Sequence, residues 1–165
     1  MSDPVDGLRI RDASRALLLD PDDRVLLVRF VFPSGETRWA LPGGGVEPGE
    51  TLAATLCREL VEEVGLHDAT IGPVVWLRTH VIPFVNGLFD GQRDHIHLVR
   101  AAAFDPRPAL TWEQLNAEFV FELRWWTLAE IAASTDLRFV PADLAGHLAA
   151  LLADGPPATP VDVGV

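Results

Sequence analysis

Three glutamates, Glu59, Glu62 and Glu63, fall within one turn of a segment that has helical periodicity. Residues three and four apart are neighbours on a helix, so these like charges repel by roughly 0.2–0.5 kcal/mol per pair. They also stand in the last turns, where the helix dipole disfavours carboxylates. One interpretation is an acidic, solvated helix face. The other is a site for a hard divalent cation, because Mg²⁺ binds a few carboxylates together with water and phosphate oxygens.

A run of glycines, Gly43, Gly44 and Gly45, precedes this helix. Glycine lets the backbone turn tightly and approach a ligand closely, although a tight strand-to-helix turn explains the run equally well. Within the helix, Arg58 stands four residues before Glu62 and can pair with it. The pairing would hold that carboxylate in one orientation.

The loop and the helix together carry a spaced motif between residues 44 and 66. Its fixed positions are Gly44, Glu50, Arg58, Glu59, Leu60, Glu62, Glu63, Gly65 and Leu66. In this motif and its spacing the chain resembles the Nudix hydrolases of the MutT type. The preceding residues 39–44 and the later Trp125-Trp126-Thr127-Leu128 are also similar to that family, so the resemblance spans most of the chain.

The resemblance implies an α/β fold, an α/β/α sandwich with a mixed central sheet. It also implies hydrolysis of a diphosphate bond in a nucleoside diphosphate linked to another group, with Mg²⁺ or Mn²⁺ as the cofactor. Carried over by position, Glu59, Glu62 and Glu63 would bind the metal, and Gly43 could offer its carbonyl. Glu59 would also act as the base on water, and Arg58 would orient the glutamates.

Other residues receive supporting or open assignments. Gly44 and Gly45 belong to the loop expected to meet the substrate, and Glu50 is expected to brace the loop against the helix. Many relatives use one more acid outside the motif. Glu118 and Glu122 are the candidates for it, although for each we favour the interpretation as a surface residue.

Four arginines could pair with substrate phosphates or serve ion pairs within the protein: Arg29, Arg38, Arg78 and Arg93. His95 and His97 alternate along a probable strand, so they could contact a nucleotide or line a half-polar face of the sheet. We favour the second interpretation for the histidines.

The elements that position these residues follow from the hydrophobic pattern. Residues 14–19 and 24–31 predict a β-hairpin, residues 38–41 a short strand, and Thr51 and Gly65 the ends of the motif helix. Residues 71–83, 95–104 and 123–126 predict three more strands, and residues 127–133 and 141–153 two helices. Residues 105–116 contain prolines and are expected to be irregular. The motif helix is expected to turn an apolar arc to the sheet: Ala53, Leu56, Cys57, Leu60, Val61 and Val64.

Composition bounds the class of protein. The 165 residues suit one domain, which we assign to residues 1–153, with residues 154–165 as a disordered tail. All 13 basic residues are arginine, so lysine-based phosphate loops and Schiff-base chemistry are excluded. A net charge of −11 argues against binding to a nucleic acid polymer or an anionic membrane. The single cysteine and the acidic N-terminus favour a cytoplasmic protein.

Two other functions stay open at this point. A Nudix-like nucleotide-binding module would keep the fold without catalysis, and an isoprenyl diphosphate isomerase shares the fold but depends on a cysteine in an enclosed pocket. The N-terminal segment and several apolar residues favour a homodimer. The sequence leaves the substrate unassigned, with a nucleotide sugar, an ADP-ribose-like compound and a modified nucleoside triphosphate as candidates.

Overall fold

The computed structural model describes residues 5–165. Its strands are β1 (Ile10–Leu19), β2 (Val25–Val31), β3 (Thr37–Ala40), β4 (Gly43–Gly45), β5 (Val74–His80), β6 (Gly91–Arg100), β7 (Val120–Trp126), β8 (Phe139–Val140) and β9 (Val161–Asp162). Its α-helices are α1 (Leu52–Glu59), α2 (Trp112–Ala117), α3 (Leu128–Ala133) and α4 (Leu144–Asp154), and a π-helical turn, Leu60–Val64, continues α1.

Strand β1 is the centre of a mixed sheet. It runs parallel to β6 along its whole length, and on its other side it pairs antiparallel with β4 and, at Leu19, with β2. Strand β2 pairs in turn with β3 and β7. In β1, Ala16 and Leu18 pack towards α1, whereas Leu17 and Leu19 pack towards α3 and α4. Helices therefore cover both faces of the sheet, and the predicted α/β/α sandwich is confirmed.

The motif helix is rotated relative to the predicted apolar arc. Ala53 and Cys57 are exposed, and the buried residues of the segment are Thr55, Leu56, Leu60, Glu63 and Val64. The prediction was wrong for Ala53 and Cys57, because it assumed that the helix packs against the central sheet alone. The glycine strand β4 also contacts α1 and covers its glutamate-bearing side. A π-helical turn is common at functional sites, and here it contains Glu62 and Glu63.

The ends of this segment are as predicted. Thr51 Oγ1 accepts a hydrogen bond from the amide of Ala54 at 3.1 Å and caps the first turn. Gly65 adopts the left-handed conformation, with φ 74°, and ends the π-helical turn.

Two regions differ from the sequence prediction. Residues 105–116 were expected to be irregular throughout, but Thr111 and Gln114 form a capping box that starts the short helix α2. Residues 154–165 were expected to be a disordered tail. In the structure β9 pairs parallel with β5, and Val163 is buried in the core, because its side chain completes the apolar cluster over the sheet. No helix within residues 5–165 is long and apolar enough to cross a bilayer.

Candidate active site

The glycine strand β4 brings the backbone directly against the motif helix. A Cβ at Gly44 would collide with the carboxylate of Glu59, so only glycine allows this contact. Gly43 has φ 142°, and its amide donates to Oε2 of Glu63 at 3.4 Å. The tight approach therefore places the Gly43 amide beside Glu63 and the backbone of Gly44 against Glu59.

Arg58 connects the loop to three glutamates. Its Nε and Nη2 donate to both oxygens of Glu50 at 2.8 and 2.9 Å, and its Nη1 donates to Glu59 at 3.0 Å and to Glu62 at 3.3 Å. The Glu50 carboxylate also accepts from the Glu47 amide and the Thr55 hydroxyl. These donors, the Arg58 guanidinium first, lower the pKa of Glu50 to about 2. Glu50 thus joins the loop to the helix and does not reach the other carboxylates.

Glu63 is the most unusual group in the site. Its residue is only 3% exposed, yet the Gly43 amide is its sole hydrogen-bond donor within residues 5–165. Burial, reinforced by the neighbouring charge of Glu59, raises the pKa of Glu63 to about 8. Burial also raises the pKa of Glu59, although the Arg58 guanidinium opposes the shift.

These residues line one opening, which we call the glutamate cleft: Arg11, Arg15, Phe30, Gly43, Gly44, Gly45, Glu47, Arg58, Glu59, Glu62, Glu63, Gln92, Leu110, Glu118 and Val120. Within residues 5–165 no three acidic, histidine or cysteine side chains are close enough to form a ready-made metal cluster. The donor set nevertheless suits a hard cation, because the buried carboxylate of Glu63 and the partly buried carboxylate of Glu59 line the same cleft, and Glu63 has no ion-pair partner in the described chain. The carbonyl of Gly43 lies 3.5 Å from Nη1 of Arg15, which donates to it.

The two acids proposed outside the motif separate in the structure. Glu118, at the C-terminal end of α2, lines the cleft, and its charge helps to raise the pKa of both Glu59 and Glu63. Glu122 accepts from Arg29 at 2.8 Å in a half-exposed ion pair, and it is not among the residues that line the cleft. Of the two, only Glu118 is placed to join the glutamates.

A second opening, which we call the arginine pocket, adjoins the cleft and shares Arg15, Phe30 and Glu118 with it. Its volume is about 240 Å³, and its other lining residues are Phe32, Arg38, Ala40, Leu41, Arg78, His80, Asp94, Ile96, Phe119, Val140 and Pro141. Of the four arginines that could pair with phosphate or serve ion pairs, Arg38 and Arg78 lie here. Arg29 is held by Glu122, and Arg93 donates to the hydroxyl of Thr79 at 3.2 Å.

Sequence reasoning missed Arg15, which lies between the two openings. Its Nε donates to Asp94 at 3.0 Å, and its charge attracts Glu63 and Glu59. The feature that could have identified Arg15 is its position as a charged residue within the apolar run of β1. The neighbouring parallel strand β6 places Asp94 close to it. The histidines lie as we favoured: His97 is buried against the carbonyl of Gly72, and His95 pairs with Asp12.

Comparison with known proteins identifies the family of this chain. The sequence model described as the NUDIX domain matches residues 9–145. The chain therefore belongs to the Nudix family.

Relatives of the chain include enzymes that act on nucleotides. The chain is 35% identical over 91 residues to nucleoside triphosphatase NudI of Escherichia coli, covering 55% of this chain and 61% of that protein. It is 31% identical over 104 residues to an RNA pyrophosphohydrolase of Sphingopyxis alaskensis, covering 58% and 65%. The matches therefore span less than two thirds of these relatives' own length.

Solved structures share the fold. The solution structure of the E. coli ORF135 protein has a TM-score of 0.61 and 25% identity, covering 95% of this chain and all of that one. The NUDIX domain of Shewanella oneidensis NrtR, solved in complex with ADP ribose, has a TM-score of 0.64 and 20% identity, covering 92% and 94%.

Proposed function

We propose that this chain is a pyrophosphohydrolase that depends on a divalent cation, Mg²⁺ or Mn²⁺, and cleaves a diphosphate bond in a nucleoside diphosphate linked to another group. The observation that carries the proposal is the buried carboxylate of Glu63, which lies beside Glu59 without an ion-pair partner in the described chain. A buried charge is costly unless it is paired. A divalent cation bound between Glu59 and Glu63 would supply that pairing and leave coordination positions for phosphate oxygens.

The residues of the cleft have separate roles in binding the cation, accepting a proton and positioning the carboxylates. Glu59, Glu63 and, at the more exposed edge, Glu62 would hold the cation, which supplies charge neutralisation of the phosphate and activation of water. The raised pKa of Glu59 makes its carboxylate a stronger base for accepting a proton from water. Arg58 fixes the rotamers of Glu59 and Glu62, and the Gly43 amide donates to Glu63.

The relatives support this class and leave the substrate open. Their names refer to nucleoside triphosphates and to RNA, and a structural neighbour was solved with ADP ribose. Nucleoside triphosphates and ADP ribose both contain a diphosphate linkage attached to a nucleoside. The isomerase alternative depends on a cysteine in an enclosed pocket, whereas Cys57 here is exposed and lies outside the lining of the cleft.

A release assay tests the proposal. The purified chain is incubated with nucleoside triphosphates, ADP-ribose, nucleotide sugars and a 5′-triphosphate RNA, with Mg²⁺, Mn²⁺ or excess chelator. Nucleotide, phosphate and pyrophosphate products are then separated and quantified. We expect product from at least one compound, only when a cation is present, and we expect Glu59→Gln to lower its rate of formation by at least about 100-fold.

The matched control is Glu113→Gln, because Glu113 is an exposed glutamate of α2 outside the cleft. This variant should turn over like the parent. Product formation that persists in excess chelator would refute metal dependence. Tight nucleotide binding without product from any compound would favour the non-catalytic binding module.

A further inference from the structure

Arg78 on β5 is an enclosed cation with an incomplete set of partners. Its side chain is 7% exposed. Nη1 donates to Asp94 at 3.3 Å, and Nη2 lies 3.5 Å from Nδ1 of His80. Its Nε is one of the few buried side-chain nitrogen or oxygen atoms within residues 5–165 that have no hydrogen-bond partner. Because an unpaired buried donor costs about 1–3 kcal/mol, the residue is poorly explained as a purely structural one.

The arginine pocket is lined by three guanidinium groups, those of Arg15, Arg38 and Arg78, and by two carboxylates, those of Asp94 and Glu118. Asp94, itself 2% exposed, is shared between Arg78 and Arg15, so two cations face one buried carboxylate. Arg38 adds a third cation nearby, although Glu36 accepts from it at 2.9 Å. Burial lowers the pKa of Arg78 and also that of His80. The His80 ring is therefore neutral at pH 7 and does not balance the charge of Arg78. The arginine pocket therefore favours a ligand that offers hydrogen-bond acceptors.

The walls of the arginine pocket favour a flat ring over a free phosphate. Phe30, Phe32 and Phe119 line one side, and the rings of Phe32 and Phe119 lie 5.8 Å apart. Ile96 and Val140 also line the pocket. Aromatic side chains stack on planar rings, whereas an apolar wall strips water from a phosphate without replacing it. The pocket opens beside the glutamate cleft, so a ring bound in it can be joined to a diphosphate in the cleft.

We propose that Arg78 is a specificity-determining residue that donates hydrogen bonds to the acceptor edge of a purine base, so that the protein prefers 6-oxopurine nucleotides over 6-aminopurine nucleotides. This inference rests on the proposed function, because it takes the base to be the group attached to the diphosphate.

The preference follows from donor and acceptor types. A guanidinium has only donors. A 6-oxopurine presents the O6 and N7 acceptors on one edge, whereas adenine replaces O6 with an amino donor. Two donors facing each other cannot bond, so adenine would leave Arg78 as poorly satisfied as it is in the free protein. A good arginine contact to such an edge corresponds to about tenfold discrimination.

The test uses nucleoside monophosphates, so that it does not depend on hydrolysis. Binding of inosine monophosphate and adenosine monophosphate is measured by titration calorimetry in metal-free buffer. These ligands differ at position 6 and contain no diphosphate bond to cleave. We expect inosine monophosphate to bind about tenfold more tightly. A protein that fails to hydrolyse any substrate could still show this preference, so the two proposals fail separately.

Variants locate the preference. Arg78→Lys keeps a positive charge beside Asp94 but loses the planar fork of donors, so the ratio of the two affinities should fall below about twofold. Arg29→Lys, in a half-exposed pair outside the arginine pocket, should keep the parent ratio. Phe32→Leu should weaken both ligands while leaving their ratio unchanged, because stacking does not read the base edge.

Three results would overturn the inference. The first is equal affinity of the parent for the two monophosphates. The second is a preference that survives in a folded Arg78→Lys variant. The third is competition by ribose 5-phosphate as strong as that by inosine monophosphate, which would show that the pocket recognises the phosphate and not the base. The first and third results need only the parent protein, so they hold even if the Arg78 variant does not fold.

Discussion

Replacing Glu63 with glutamine should stabilise the metal-free protein, although it removes a residue of the candidate site. The carboxylate is buried, and its pKa is raised from the usual 4.5 of a glutamate to about 8. Each unit of such a shift corresponds to about 1.4 kcal/mol of stability. At pH 7 the relevant difference is the 2.5 units above 4.5, which sets an upper bound of roughly 3 kcal/mol on the gain. Glutamine keeps the shape and carries no charge to bury.

The sign of the effect gives it a specific pH window. Between pH 4.5 and about 8, Glu63 is protonated in the folded chain and ionised in the unfolded chain. Unfolding then releases a proton, so the parent loses stability as pH rises through this window and the contribution is constant above it. Glu63→Gln lacks this contribution. The difference in stability between variant and parent should therefore be small near pH 5 and largest near pH 8.

Urea denaturation in excess chelator, repeated from pH 5 to 8.5, measures this difference. Glu113→Gln serves as the control, because that side chain is exposed on α2 and should show no such pH trend. Saturating Mg²⁺ should stabilise the parent by about 2.7 kcal/mol at one hundred times its dissociation constant and stabilise the Glu63 variant less. A Glu63→Gln protein that is less stable than the parent at pH 8 in chelator would refute the reasoning. Glu63 would then be a structural residue.

Three further predictions concern the loop, the arginine and assembly. Gly44→Ala should push the Glu59 carboxylate out of place and lower kcat/KM by about 100-fold, while the circular dichroism spectrum stays unchanged. Activity near that of the parent would show that the close contact between Gly44 and Glu59 is not needed. Arg58→Lys loses the two-pronged contact with Glu50, so thermal melting should fall by several degrees, and an unchanged melting temperature would show that this contact braces nothing. Light scattering should give the mass of a homodimer, and a monomer mass across a wide concentration range would exclude it.

The sequence predicted those parts of the site that follow from local spacing. Thr51 and Gly65 mark the ends of the motif segment because capping depends on neighbouring residues. The grouping of Glu59 and Glu63 on one side of that segment follows from helical periodicity alone. The pairing of Arg58 with Glu62 was predicted for the same reason and is present at 3.3 Å.

What the sequence did not predict depends on contacts between distant segments. Glu63 is buried because β4 covers this side of the helix. The local sequence pattern does not predict that contact, since β4 and Glu63 are distant along the chain. The pairing of Arg15 and Arg78 with Asp94 needs the register of β1, β5 and β6. The order of the C-terminal residues depends on the open edge of β5, to which β9 adds two residues. Composition rich in proline and glycine indicated disorder there, and tertiary contact overrode it.

The most direct test of the central claim compares the parent with Glu59→Gln, using the substrate identified by the release assay. Turnover, substrate affinity and Mn²⁺ affinity are measured on the same preparations. The account predicts that turnover falls by at least about 100-fold while substrate affinity in metal-free buffer changes less than threefold, because a base contributes to the transition state and not to ground-state binding. The Mn²⁺ titration separates a lost base from a lost ligand. Turnover that is undiminished in Glu59→Gln with saturating Mn²⁺ would contradict the account.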